Sequence, residues 1–239
     1  MISARNIWIV FKKEFLSFFN SPVAYIVVTV FLLITGWFFF QQFFLMGQAT
    51  MRPLFSMIPI IFIFLAPAIT MRLIAEERKT KTFSLLLTLP VRDSEIILGK
   101  YLAALGLLAL ALLLTLPYAL SISSIGSLEW GPVLGGYLGG ILMGAAYLAI
   151  GMLSTSLTKN QIVAFILGLA LCFFFFAIDK MLLFLPDSAA TVFEYLSVDY
   201  HFHNIARGVI DLRDIVFYFT FIGALIMYSV YAIQREDWR

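Results

Sequence analysis

The sequence predicts an all-α integral membrane protein with six transmembrane helices, and three observations carry this prediction. First, 62% of the 239 residues are hydrophobic and only 13% are charged, whereas soluble domains are typically about 45–50% apolar and about 25% charged. Second, six uncharged stretches are each near or above the ~20 residues that a helix needs to cross ~30 Å of hydrocarbon. Third, a backbone in lipid must satisfy its own hydrogen bonds, so such stretches form helices. We expect one transmembrane domain over residues 1–239.

An amphipathic helix is predicted ahead of the spans, over residues 1–21. At about 100° per residue, apolar and polar side chains fall on opposite faces, which is typical of a helix lying in the membrane interface. A signal peptide is disfavoured, because no small-residue cleavage site follows and the apolar run after Pro22 is too long for an h-region. The apolar face carries Ile7, Trp8, Phe11, Phe15, Phe18 and Phe19, and the polar face carries Arg5, Asn6, Lys12, Lys13 and Ser17.

Six predicted spans follow, and two of them contain prolines. Pro59 and Pro67 lie inside the second span and Pro117 inside the third, where they should kink or loosen the helix while neighbouring helices compensate. Cys172 is the single cysteine and lies in an apolar run, so we expect no disulfide framework and a packed or lipid-facing thiol. The spans are expected at residues 23–46, 54–72, 95–125, 132–158, 160–179 and 214–234.

The distribution of Lys and Arg predicts the orientation in the membrane. Six spans place both termini on the same side, and that side collects twelve of the sixteen Lys and Arg residues, against four on the other side. Cytoplasmic loops carry an excess of these residues. We therefore expect both termini in the cytoplasm.

Glycines recur every four residues in the fourth span. Gly136, Gly140 and Gly144 follow this spacing, as do Gly135 and Gly139, and small residues so spaced let two helices approach closely. Packing within one subunit is the favoured interpretation, because every bundle needs close contacts. A dimer seam is the alternative.

The outer segment, residues 180–213, contains many apolar side chains, which predicts short re-entrant or capping helices before the last span. His201 and His203 form an H-x-H pair within it. Metal binding is one interpretation of this pair, but no further ligand cluster accompanies it. The alternative is an interfacial pair on the polar side of a short helix.

Catalytic motifs and charges within the spans are both missing from the sequence. There is no G-x-x-x-x-G-K-[ST] phosphate loop, no H-E-x-x-H and no G-x-S-x-G. No charged residue falls near the middle of a predicted span, which argues against an ion-coupled carrier and against an intramembrane enzyme.

A polar island over Arg72–Lys100 lies between the second and third spans and is the expected contact with a cytoplasmic partner. It holds six Lys or Arg residues and four acidic residues. Within residues 73–94, a short apolar helix from Phe83 to Leu89 would anchor the contact and flanking charges would orient it. An ordinary loop tied to the headgroups is the alternative. The contact residues predicted here are Glu76, Glu77, Arg78, Thr82, Phe83, Leu86, Leu87 and Pro90.

The run EERKTKTFSLLLTLPVRDSEIILGKYLA resembles the cytoplasmic loop of type-2 ABC transporter permeases. Their pattern is roughly E-x-x-x-G-T-x-x-x-L-L-x-x-P-V-x-x-x-E-I-x-x-G-K, and Lys81 departs from it where Gly is common. The stretches FKKEFLSFFNSPVAY, SLTKNQIVAF and YHFHNIARGVIDLRDIVFY agree, and together they look most like the permease subunit associated with gliding-motility systems. The matching positions are Glu77, Thr82, Leu86, Leu87, Pro90, Val91, Glu95, Ile96, Gly99 and Lys100.

This resemblance implies the type-2 ABC exporter permease fold in a bacterial inner membrane, with a coupling helix between the second and third spans. It implies a second permease, either a copy of this chain or a different subunit, including one with a large periplasmic domain. It also implies a separate ATP-binding subunit that holds ATP and Mg, so we expect no cofactor on this chain and no nucleic-acid partner. In relatives the second and fifth spans line the path, which would place Phe55, Ser56, Phe62, Phe165 and Phe173 near it.

Three functions compete on these grounds. The leading hypothesis is the non-catalytic membrane subunit of an ATP-driven exporter. The second is a mechanotransmission or scaffold subunit that acts on a periplasmic partner without moving a substrate. An autonomous carrier is the third, and the absence of charges within the spans disfavours it.

Overall fold

The computed structural model describes residues 3–79, 91–181 and 193–237. In these ranges the regular elements are all helices, and six helical segments are long and apolar enough to cross a membrane. The predicted fold class, an all-α protein with six membrane-spanning helices, is therefore confirmed.

The helices are numbered in chain order, and six of the segments they form are the candidate spans. These segments are α2, α3 continued by α4, α5 continued by α6, α7, α8 and α10. The bounds are α1 Ala4–Asn20, α2 Val23–Met46, α3 Arg52–Thr70, α4 Ala75–Lys79, α5 Asp93–Leu113, α6 Leu116–Ser123, α7 Trp130–Ser156, α8 Gln161–Met181, α9 Val198–Ala206 and α10 Leu212–Asp237.

Helix α7 lies at the centre of the bundle and packs against α3, α5, α8, α9 and α10. Its glycines make this possible, because a Cβ added at Gly144 would lie 2.7 Å from Leu108 of α5 and 2.9 Å from Phe62 of α3. Gly136 faces Phe55, and Gly139 faces Phe202 of α9. The glycine repeat therefore serves packing within the subunit, as the sequence favoured, and these positions form no dimer seam.

The prolines have different effects in the two spans that contain them. Helix α3 runs without interruption through Pro59 and Pro67. The third span is broken between α5 and α6, just before Pro117. Thr115 lies in this break, where its hydroxyl donates to the Leu112 carbonyl at 2.7 Å and lies 2.9 Å from the Tyr137 hydroxyl of α7. The neighbouring helix thus compensates for the break, as membrane bundles require.

Helix α1 runs alongside the first half of α5 in the same direction. Ser3 contacts Glu95 near the start of both helices, and Phe15 faces Gly106 three turns further on. The outer face of α1 mixes exposed apolar and cationic residues, and the interfacial position predicted for α1 stays a prediction. These exposed residues include Arg5, Trp8, Ile9, Lys12, Lys13 and Leu16.

The bundle has two polar ends, which we call the α4 end and the α9 end. At the α4 end, α1, α4 and the start of α5 meet the end of α7, where the Arg78 guanidinium donates to the Ser156 carbonyl at 2.6 Å. At the α9 end, the end of α8 and the start of α10 meet α9, where the Tyr218 hydroxyl donates to the Val198 carbonyl at 2.8 Å. Each end holds a cluster of charged side chains.

Candidate functional site

A buried lysine joins three helices at the α4 end. The ammonium of Lys100 on α5 lies 2.9 Å from a carboxylate oxygen of Glu14 on α1 and 2.7 Å from one of Glu77 on α4. The Lys100 side chain is 1% exposed, while Glu14 and Glu77 are 12% and 19% exposed. We call this group the Lys100 cluster.

The Lys100 cluster contributes more to the relative positions of α1, α4 and α5 than to the net stability of the fold. Taking charges out of water costs several kcal/mol per ion, and only close, well-oriented partners offset that cost. If one partner moves away, a charge is left buried without compensation, which typically costs about 3–5 kcal/mol. The three helices are therefore expected to move together at this point.

A second carboxylate holds the beginning of α1 against the beginning of α5. Glu95 accepts hydrogen bonds from the Ser3 backbone N–H at 2.6 Å, from the Asn6 side-chain amide at 2.8 Å and from the Arg92 backbone N–H at 3.2 Å. The Arg92 bond caps the first turn of α5. Glu95 thus acts both as a helix cap and as the attachment point for α1.

Gly99 lets α1 come close enough for these bonds to form. A Cβ at Gly99 would lie 2.6 Å from the Val10 side chain and 3.1 Å from the Ile7 carbonyl oxygen. Contacts under 3.0 Å do not occur between real Cβ atoms and their neighbours, so a side chain here would force the helices apart. Gly99 and Lys100 therefore act together. The missing side chain at Gly99 lets α1 pack closely against α5, and Lys100 then pairs with Glu14 of α1.

Helix α4 is also attached to the end of α7. The Ala75 backbone N–H donates to the Thr155 hydroxyl at 3.1 Å, and that hydroxyl donates to the Met71 carbonyl at 3.2 Å. Together with the Arg78 bond to Ser156, these contacts hold both ends of α4 against α7. Since α4 directly precedes residues 80–90, any displacement of that segment would reach α4 first.

The three flanking charges predicted to orient a partner also make contacts within the chain. Glu77 belongs to the Lys100 cluster, and Arg78 bonds to α7. Glu76 pairs with Arg72 one turn earlier at 2.9 Å, and this pair is about 40% exposed. A cavity of about 250 Å³ opens beside them between α1 and α4, and its lining includes Glu14, Ser17, Arg72, Glu76 and Glu77.

The other residues predicted for the partner contact lie outside the described residues. They are Thr82, Phe83, Leu86, Leu87 and Pro90, together with Lys81, the departure from the family pattern. Their role stays a prediction.

The predicted pathway residues divide into two groups. Phe55 and Phe62 are buried inside the subunit, where Phe55 packs edge-on against Tyr137 and Phe62 packs against Phe31. Ser56 is exposed on α3 and Phe173 is exposed on α8. Phe165 lines an open apolar groove between α2 and α3. Ser56, Phe165 and Phe173 thus lie at the surface of the subunit and Phe55 and Phe62 lie inside it, and the pathway role of all five stays a prediction.

The H-x-H pair at the α9 end engages two different carboxylates. His201 is buried, with Nδ1 2.6 Å from Asp214 at the start of α10 and its ring stacked on Phe217 at 4.0 Å. His203 lies 3.6 Å from Asp199, one turn earlier on α9. The two imidazoles therefore do not converge on one point.

Sequence reasoning missed two features of these ends. It placed Lys100 at the end of the polar island and the start of the third span without naming a partner for it, whereas Lys100 lies inside the packed bundle with Glu14 of α1. It also found no ligands near the H-x-H pair, whereas Asp179 and Asp199 lie beside His203. The sequence held two signals for the contact between Lys100 and Glu14. One is a Lys that follows a Gly at the start of an apolar helix, and the other is a Glu on a preceding amphipathic helix.

The six candidate spans define a multi-pass membrane protein, and its short helix α4 is tied to α1, α5 and α7 at one end of the bundle. A family model for the ABC-2 family transporter protein matches residues 47–233, which is most of the chain. The chain therefore belongs to the ABC-2 transporter family. Its members are generally non-catalytic membrane components that work with an ATP-binding subunit. No curated protein matches the chain.

Proposed function

We propose that this chain is the permease subunit of an ABC exporter and that it couples ATP hydrolysis by a separate subunit to export across the inner membrane. Both termini and the α4 end face the cytoplasm in this proposal, since twelve of the sixteen Lys and Arg residues then lie on that side and cytoplasmic loops carry an excess of these residues. ATP and Mg bind to the partner subunit, and residues 80–90 contact it.

The Lys100 cluster is the observation that carries this proposal. A push on residues 80–90 would displace α4, and the Glu77–Lys100–Glu14 contacts would pass that displacement to α5 and α1 together. A loop that only bound headgroups would not need a buried cation joining three helices. The bonds from α4 to the end of α7 extend the same path to the central helix.

A second permease completes the membrane part of the proposed assembly. Most of the membrane-crossing stretch of α7 (78%) is buried within this subunit, whereas only 22%, 22% and 17% of the corresponding stretches of α2, α8 and α10 are buried. These exposed apolar faces are available to lipid and to a second permease, which is either a copy of this chain or a different subunit.

The test is a charge-neutral replacement of the Lys100 cluster. The triple variant Glu14→Gln, Glu77→Gln, Lys100→Met leaves no uncompensated buried charge, so the fold and the complex should survive, because such replacements are often tolerated. In nanodiscs with the ATP-binding subunit from the native membrane, we expect co-purification to persist. The ATPase activity should lose most of its dependence on the permease.

The matched control removes charges at the opposite end. Arg52 and Glu129 form an exposed pair at 3.9 Å, so Arg52→Gln with Glu129→Gln should leave both measurements unchanged. Wild-type ATPase stimulation in the triple variant would overturn the coupling role of the cluster.

One observation favours the mechanotransmission alternative, in which a gliding-type machine moves a periplasmic partner and nothing is exported. Several hydroxyls within the spans donate back to their own helix, including Thr35 to Phe31, Thr70 to Ala66 and Ser154 to Ile150. These groups offer little to a polar substrate. Single cysteines at positions 56 and 173 separate the two functions, since an export path predicts nucleotide-dependent labelling by a water-soluble thiol reagent and the alternative predicts none.

A further inference from the structure

A second charged group lies at the α9 end, away from the Lys100 cluster. Among the described residues, Asp179, Asp199 and His203 are the group whose ligand atoms lie close enough to hold a metal ion, all within 4.8 Å of one another. Asp179 is at the end of α8, and Asp199 and His203 lie one turn apart on α9. The group therefore connects two helices.

In the described part of the chain, a single lysine lies against the two carboxylates of this group. Lys180 is the cation beside them, with its ammonium 2.8 Å from Asp179 and 3.2 Å from Asp199. Two carboxylates thus share one ammonium, and the Asp199 side chain is only 1% exposed. A buried excess of negative charge is costly unless further cations or donors compensate for it.

One buried oxygen of the group, Oδ1 of Asp199, has no hydrogen-bond partner in the described part of the chain. Buried polar atoms without partners are uncommon in proteins and point to a bound ion or water.

We propose that Asp179, Asp199 and His203 form a binding site for a divalent transition-metal ion, with zinc as the best fit. Carboxylate and imidazole ligands suit this class of metal. Zinc bonds of about 2.0–2.2 Å with tetrahedral geometry hold ligand atoms about 3.3–3.6 Å apart. His203 lies 3.6 Å from Asp199, and the three ligand atoms, all within 4.8 Å of one another, would draw together around the ion. Three protein ligands would leave the fourth position to water.

Lys180 competes with the metal ion for the same carboxylates. Its side chain is 52% exposed, so its ammonium can swing into solvent on a flexible stem when the metal ion arrives. His203 is 40% exposed, which leaves a route from solvent to the site. The bound ion would then clamp α9 to the end of α8 and stiffen the outer part of the bundle.

The test measures zinc binding to the purified full chain in detergent, by competition with a chromophoric zinc indicator. We expect one zinc per chain. His203→Gln and Asp179→Asn should each weaken binding by tenfold or more, because each removes a ligand. Lys180→Gln should tighten binding, because it removes the competing cation. Zinc should also raise the Tm of the wild type and leave that of His203→Gln unchanged.

The matched control is Asp211→Asn, which removes an exposed carboxylate at the same end that is not part of the group. It should bind zinc as the wild type does. The proposal fails if the wild type binds no stoichiometric zinc, or if His203→Gln binds it equally well. Weaker binding by Lys180→Gln would also overturn it, since that result would mean that Lys180 supports the site.

Discussion

Lys100 and Lys180 lie at opposite ends of the bundle and each bridges two carboxylates, but their surroundings differ. Lys100 is 1% exposed and its partners come from two other helices, whereas Lys180 is 52% exposed and one partner is its own neighbour, Asp179. Water cannot reach the buried Lys100 ammonium, so Lys100 keeps its three helices in fixed relative positions. The exposed Lys180 ammonium can turn into solvent, so another cation can replace it. This difference supports both proposals: transmission of displacement at the α4 end and binding of a metal ion at the α9 end.

The largest expected effect comes from removing each lysine in turn. Lys100→Met leaves two carboxylates without their cation and should destabilise the chain by about 3–5 kcal/mol. Lys180→Met, measured with a chelator present, should cost less than Lys100→Met, because the Lys180 side chain is 52% exposed and already largely hydrated, although Asp199 loses its cation. Unfolding in mixed micelles measures both. Equal losses for the two variants would remove the distinction between the ends.

A smaller effect is expected from the close approach that positions the Lys100 cluster. Gly99→Ala should cost about 1–3 kcal/mol by overpacking, because the added methyl group meets Val10 and Ile7 of α1. The matched control is Gly223→Ala on α10, where an added Cβ meets nothing within 4 Å. That change should stabilise the helix slightly. The same unfolding assay checks both variants, and a harmless Gly99→Ala would mean that α1 does not need this contact.

The architecture was predictable because lipid leaves the backbone few choices. Long uncharged stretches must form helices, so composition was enough to predict the six spans. Glycines at four-residue spacing lie where another helix packs closely, so their spacing was enough to predict the close packing at Gly136 and Gly144. The break at Leu113–Leu116 was foreshadowed by Pro117. The uninterrupted course of α3 through Pro59 and Pro67 was not, because it depends on neighbours that the local sequence does not specify.

The charged clusters were less predictable, because each joins residues far apart in the chain. Lys100 and Glu14 are 86 positions apart and Lys100 and Glu77 are 23 apart, so neither contact follows from local periodicity. The family pattern pointed to Glu77, Gly99 and Lys100 without giving the reason that they occur together. The structure supplies that reason, since α1 packs against Gly99 and presents Glu14 to Lys100.

The pairing of α1 with α5 has a consequence for biosynthesis. The contacts between them join residues 86 to 92 positions apart, so α1 leaves the ribosome well before its partner exists. At about 5–20 residues per second, the interval is about 4–18 s, during which α2 and α3 are inserted. Throughout that time Lys100 has not been synthesised, so Glu14 lacks this partner. The aromatic face of α1 must then be covered by lipid or by a chaperone. The aromatic face of α1 therefore has a temporary partner during synthesis, which α5 later replaces.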